Sequence, residues 1–147
     1  MRRWGLGVLI ALSVGMVQLL AGCGAAGLTA AQVRYRATQI CDRATGRSAV
    51  IRLPGTPSGG QRFLVQGIAM LANETRALRS LGDHGPVHVA VSAMAAELVA
   101  LRSSSKGLRA GNDPVVVFKT LQQQLAGLEQ RANTAWRTLR VPACVSR

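Results

Sequence analysis

The polar side chains that could carry out chemistry in this chain are few and stand apart from one another. His84 and His88 are four residues apart, a spacing that can place two metal ligands on one helix face. Pro86 lies between them and puts His84 in the preceding loop, with Asp83 as the nearest carboxylate. We therefore interpret the two histidines as a surface pair and predict no metal site.

Four carboxylates are spread over the predicted helices, which is superficially similar to carboxylate-bridged metal bundles. They are Asp42, Glu74, Glu97 and Glu129. Bundles of that kind need a Glu-x-x-His motif on two helices, and the sequence contains none. The neighbouring Arg76 and Arg79 predict ordinary ion pairs for Glu74, and Arg43 does the same for Asp42.

Serine chemistry has no support in the sequence either. Residues 103–105 are three serines, but no histidine or other base is placed to activate them, as a serine nucleophile requires. The chain also lacks a glycine-rich nucleotide motif. We therefore predict that the protein is not an enzyme and uses no cofactor.

Cys23 is the cysteine with the most informative surroundings. It follows Leu20-Ala21-Gly22 and ends a segment that begins with Arg2 and Arg3 and continues through an apolar run, residues 4–19. A basic start, a short apolar run and small residues before a cut site are typical of a secretory signal peptide.

The box Leu20-Ala21-Gly22-Cys23 resembles the lipobox of bacterial lipoproteins. In that family the peptide is cut before the cysteine, diacylglycerol is joined to its thiol, and the new amino terminus is often acylated. For residues 1–23, which the resemblance covers, it implies a signal peptide over residues 1–22, cleavage between Gly22 and Cys23, and lipid on Cys23. It also implies a location at the extracytoplasmic face of the cell membrane.

Two other interpretations of this segment remain open. Residues 4–21 could form an uncleaved membrane anchor, although they are short and interrupted by polar and glycine residues compared with the roughly 20 apolar residues of a span. The second interpretation is cleavage of an ordinary secretory signal peptide, which would leave Cys23 as a free or paired thiol.

Cys41 and Cys144 remain once Cys23 is assigned to lipid. Outside the cytoplasmic membrane, two cysteines in a small domain most simply form a disulfide, with two free thiols as the alternative. Neither lies in a C-x-x-C motif, so we predict no redox-active site.

The chain from residue 23 onwards is strongly basic. It holds 125 residues, enough for one domain, and keeps 16 of the 18 basic residues and all six acidic ones, a formal net charge of +10. Nucleic-acid binding is one use of such charge, but export and the presence of only four aromatic residues argue against it. Anionic lipid, envelope polymer or a membrane protein are the predicted partners. A solvated basic surface without a specific partner is the alternative.

Four helices are predicted to build this domain, after a tether over residues 23–28. Thr29 and Gln32 fit a capping box that opens helix 1, whose stripe includes Cys41. Helix 2 is predicted over residues 61–81, with Gly82 at its C′ position. Helix 3 begins near Pro86 and frays at the serine run. Helix 4 has Asp113 as its N-cap and ends before Pro142.

Short connections between these helices predict an all-α, up-down-up-down four-helix bundle over residues 29–147. Cys41 lies past the middle of helix 1, whereas Cys144 lies beyond the end of helix 4. The disulfide therefore requires residues 141–144 to fold back, or helix 1 to be offset towards the tether.

The sequence thus predicts a lipid-anchored, non-enzymatic binding or scaffolding protein that presents a cationic bundle at the membrane surface. A carrier of a small apolar ligand inside the bundle is the second class. Trp136, Phe118 and Met94 could line such a pocket, although core packing is the simpler interpretation of their spacing. Neither class involves nucleic acid.

Overall fold

The computed structural model describes residues 27–56 and 59–145, which form an all-helical arrangement without strands. Its elements in chain order are α1 (Ala30–Ser48), α2 (Gly60–Arg79), α3 (Gly85–Arg109), α4 (Pro114–Leu139) and a 3₁₀ turn, the C-terminal turn (Pro142–Cys144). The predicted all-α class with four helices is confirmed. The predicted signal peptide, the cleavage position at Gly22 and the lipidated Cys23 lie outside the described residues.

Two helices begin as their sequences predict. At α1 the backbone N–H of Gln32 donates to Thr29 Oγ1 at 3.3 Å, while the Thr29 N–H donates to Gln32 Oε1 at 2.9 Å. These reciprocal bonds form the capping box. At α4 the Val115 N–H donates to Asp113 Oδ1 at 2.8 Å, and Pro114 occupies the first turn.

The helix ends differ from the predictions by a few residues. α2 ends at Arg79, and Gly82 has φ +95°, the left-handed conformation that favours glycine. α3 continues through the serines to Arg109. Ser105 is buried there, with its hydroxyl hydrogen-bonded to the Gln61 amide of α2 at 3.0 Å. Serines favour the helical conformation only weakly, so packing against α2 stabilises the helix over residues 103–105.

α3 is the central helix, because it packs along both α2 and α4. Its length and composition would suffice to cross a membrane, a test that the core helix of a globular domain also passes. Eight of its residues are buried, among them Val87, Ala90 and Met94, so burial inside the protein accounts for its apolar character.

The chain reverses after α4 and returns to α1. Arg140 has φ +58° and ψ +47°, a left-handed conformation that ends α4, and the Val141 N–H donates to the Trp136 carbonyl at 3.0 Å. The C-terminal turn then packs on α1, and a disulfide joins Cys41 to Cys144 with 5.1 Å between their Cα atoms. The predicted disulfide is thus present, and it forms because residues 141–144 fold back.

A buried apolar cluster, the core cluster, surrounds this bridge. It includes Val33 and Ala37 of α1, Leu78 of α2, Met94 of α3 and Trp136 of α4. Among the described residues, α1 packs on α2 and on the C-terminal turn but makes little contact with α4. The disulfide and the packing of the C-terminal turn on α1 together connect the first helix to the end of the chain.

Candidate functional site

The first candidate site is the basic surface of the domain. All fifteen lysines and arginines within the described residues, from Arg34 to Arg140, are exposed. Of the six carboxylates, four are exposed and two, Glu74 and Glu97, are buried. The outer surface therefore carries far more positive than negative groups, and its charge is more one-sided than the composition alone indicates.

Some of these basic side chains bind their own helix or a neighbouring side chain. Arg43 Nε donates to the Gln39 carbonyl at 3.0 Å, and Arg47 Nε donates to the Arg43 carbonyl at 3.2 Å. Arg109 Nη1 donates to Ser105 Oγ at 3.1 Å. These contacts hold guanidinium groups along the helices, where they remain accessible to an anionic partner.

Of the two histidines, His88 is exposed and His84 is half-buried. Asp83 Oδ1 is 3.0 Å from His88 Nδ1, and the two side chains are 82% and 65% exposed. In the part of the chain that the structure describes, no group of three or more histidine, cysteine, aspartate or glutamate side chains is placed to hold a metal. The pair at residues 83 and 88 is thus an exposed ion pair whose strength depends on histidine protonation.

The second candidate site is a cleft of about 250 Å³ to which all four helices contribute. The lining residues are Ala44, Thr45 and Ser48 of α1; Gly67, Met70, Leu71 and Glu74 of α2; Glu97 and Leu101 of α3; and Leu125, Glu129 and Asn133 of α4. The cleft lies between α1 and α4, which make little direct contact and are joined mainly through the C-terminal turn.

Negative charge is concentrated in this cleft. Three of the six carboxylates of the chain line it, whereas no lysine or arginine does. Glu74 is 7% exposed and Glu97 is 6% exposed. Burying ionised carboxylates costs free energy unless hydrogen bonds or opposite charges compensate, and both residues interact with other groups of the protein.

Glu74 is buried, whereas Arg76 and Arg79, its predicted ion-pair partners, are exposed. Arg76 Nη1 donates to Asn73 Oδ1 at 3.4 Å. The sequence does carry a signal for burial, because Glu74 lies three residues after Leu71 and four before Leu78. An acidic residue inside an apolar stripe is the pattern that identifies such a position.

The residues predicted to line an interior pocket do not line this cleft. Trp136 and Met94 are fully buried in the core cluster, and no described residue accepts a hydrogen bond from Trp136 Nε1. Phe118 lies at the other end of α4, against the start of α2, where a Cβ on Gly60 would be 2.8 Å from its ring. The cleft is therefore lined by different and more polar residues than the interior pocket that the sequence predicts.

The basic surface and the cleft both present side chains that can bind another molecule. The basic surface can attract anions over several ångströms, and the cleft can enclose a small molecule between apolar and carboxylate side chains. Comparison of the chain with protein-family models, with curated proteins and with solved structures finds no match.

Proposed function

We propose that this protein is a lipid-anchored protein of the cell envelope, of binding or scaffolding type, which presents a cationic helical bundle to an anionic surface at the membrane. The exposure of every described basic side chain, together with the burial of Glu74 and Glu97, is the observation that carries this proposal. Near an anionic leaflet each basic residue contributes about 1 kcal/mol of attraction. This attraction adds to the anchoring by lipid.

The lipid anchor at Cys23 would hold the domain close to the membrane. Five residues separate Cys23 from Thr29, where α1 is capped. At about 3.5 Å per extended residue, the start of α1 can rise no more than about 20 Å above the lipid surface. The basic surface then acts at short range, on lipid headgroups, envelope polymer or a membrane protein.

An up-down-up-down order of the helices is part of this proposal. The segment after α1 (residues 50–54) lies beside the start of α2, and the start of α2 lies beside Phe118 of α4. At the other end, Pro86 and Val89 of α3 border one groove with Thr134 and Thr138 of α4. Helix ends that lie side by side in this way are expected for antiparallel helices joined by short connections.

Lipidation is tested by labelling cells with radioactive fatty acid and comparing the wild type with Cys23→Ala. The wild type is expected to incorporate label and to stay with the membrane through washing. Cys23→Ala is expected to lose the label. Undiminished labelling of Cys23→Ala would contradict the proposed anchor.

The partner class is tested by native purification of the exported protein, followed by lipid analysis and proteomics. We expect anionic lipid or polymer to be recovered at low salt and lost in about 1 M salt, where the Debye length is only about 3 Å. Recovery of a single small molecule at both salt concentrations would favour a carrier instead.

The cleft favours that carrier as the second candidate function. Its Met70, Leu71 and Leu125 can contact an apolar body, while the exposed Glu129 can accept hydrogen bonds. A wholly apolar ligand is a poor fit to such a lining, so the ligand class shifts to small molecules that also carry hydrogen-bond donors. A ligand of this kind would raise the melting temperature of the protein.

A further inference from the structure

We propose that one particular end of the bundle faces the membrane, and that its arginines bind the phosphate groups of anionic phospholipids. This end, the tether end, consists of the start of α1, the end of α2 with its connection to α3 (residues 79–84) and the end of α4 with the residues that follow it (residues 137–145). The inference rests on the proposed function, because the lipid on Cys23 decides which end is held near the bilayer.

Contacts in the structure gather these three segments at one end. Leu28, before α1, and Val145, after the C-terminal turn, both pack against the core cluster. Leu81 and Val141, from the other two segments, are buried members of the same cluster. The segment that leads back to Cys23 thus leaves the domain beside the end of α2 and the end of α4.

Three arginines of the tether end have free side chains. Arg79 is the last residue of α2, Arg137 lies in the last turn of α4, and Arg140 follows that helix. All three are exposed, and their guanidinium groups form no hydrogen bond or ion pair with any described residue. A planar guanidinium binds phosphate oxygens through two parallel hydrogen bonds, which suits these groups to phospholipid headgroups.

Opposing charge is scarce at this end. Asp83 lies in the connection between α2 and α3, and its Oδ1 is 3.0 Å from His88 Nδ1. The first turn of α1 and residues 140–145 contain no carboxylate. An anionic surface that approaches the tether end therefore meets one carboxylate, Asp83, against three arginines.

The opposite end is also basic, but distance separates it from the membrane. Arg62, Arg102 and Lys119 lie near the start of α2, the later part of α3 and the start of α4, and all are exposed. A helix of 25 residues, the length of α3, is about 37 Å long. Attraction to the bilayer is screened at that range, since the Debye length is about 8 Å at physiological salt.

The test uses the whole protein as cells export it, purified from membranes and reconstituted into vesicles through its own lipid. Trp136 is the only tryptophan after residue 23 and lies near the tether end, so energy transfer from it to dansyl-labelled headgroups reports how close this end lies to the lipid. One variant carries Arg79→Gln, Arg137→Gln and Arg140→Gln. Its matched control carries Arg62→Gln, Arg102→Gln and Lys119→Gln, which removes the same charge from the opposite end.

For the wild type we expect more transfer in vesicles with phosphatidylglycerol than in pure phosphatidylcholine. The tether-end variant should lose this difference, whereas the control should keep it. Equal losses in both variants would overturn the membrane-facing end and leave the proposed function standing. Equal transfer of the wild type in the two kinds of vesicle would overturn both. Circular dichroism and an intact disulfide establish that each variant is folded.

Discussion

The core cluster and the cleft are built by the same four helices and differ in polarity, in openness to solvent and in what stabilises them. The core cluster is apolar and closed by the Cys41–Cys144 disulfide, with Trp136 and Met94 fully buried. The cleft is open between α1 and α4, holds about 250 Å³, and is lined by three carboxylates. Packing and a covalent bond stabilise the first region, whereas the second retains an unfilled space and buried polar groups.

The two regions meet on α1. Cys41 lies in the core cluster, whereas Ala44 and Ser48 line the cleft. The disulfide therefore anchors the half of α1 that belongs to the core cluster. Local opening is expected at the other half, where the helices leave a space beside it.

Removing the disulfide should have the largest effect, because the bridge is a covalent connection between α1 and the end of the chain. For Cys41→Ala with Cys144→Ala we expect a decrease of about 4 kcal/mol in the free energy of unfolding, since the bond closes a loop of 103 residues. Denaturant titration of the purified protein measures this change. A decrease below about 1 kcal/mol would show that packing alone holds α1.

Shortening one methionine in each region compares their packing directly. Met94→Ala removes a fully buried side chain of the core cluster, and we expect a loss of about 3 kcal/mol. Met70→Ala removes a half-buried side chain at the cleft, where a cavity already exists, and should cost about 1 kcal/mol or less. Similar losses measured by thermal or denaturant unfolding would contradict the contrast between the two regions.

The smallest effect is expected at the end of α4. Arg140 has φ +58°, so Arg140→Gly removes backbone strain and should raise the free energy of unfolding by about 0.5 kcal/mol, after the entropy cost of glycine. Arg137→Gly, inside the last turn, should instead lower it by about 1 kcal/mol. If both substitutions lowered stability equally, the left-handed position would carry no strain.

Local signals in the sequence were sufficient to predict most of the fold. Thr29 with Gln32 and Asp113 with Pro114 mark helix starts through short-range hydrogen bonds and a fixed backbone angle, so they are readable without tertiary information. The disulfide is predicted because only Cys41 and Cys144 remain once Cys23 is assigned to lipid. The length of α3 was underestimated, because its last turns depend on Ser105 packing against α2.

The cleft could not be predicted in the same way, because it depends on how closely α1 and α4 approach. Periodicity places Glu74 and Glu97 on buried stripes, but it does not say that the facing helices leave a space beside them. The structure adds that Glu74 is buried while Arg76 and Arg79 of the same helix are exposed. The relative positions of helices, rather than their propensities, decide this site.

Binding to vesicles at two salt concentrations measures the attraction between the basic surface and anionic membranes, on which the proposed function depends. The chain from residue 23 with Cys23→Ser retains all of the described core and has no lipid, so its binding reports the basic surface alone. We predict binding to phosphatidylglycerol vesicles that weakens at least about tenfold between about 0.1 and 0.5 M salt, with little binding to phosphatidylcholine. Equal affinity for both vesicles at both salt concentrations would contradict the account.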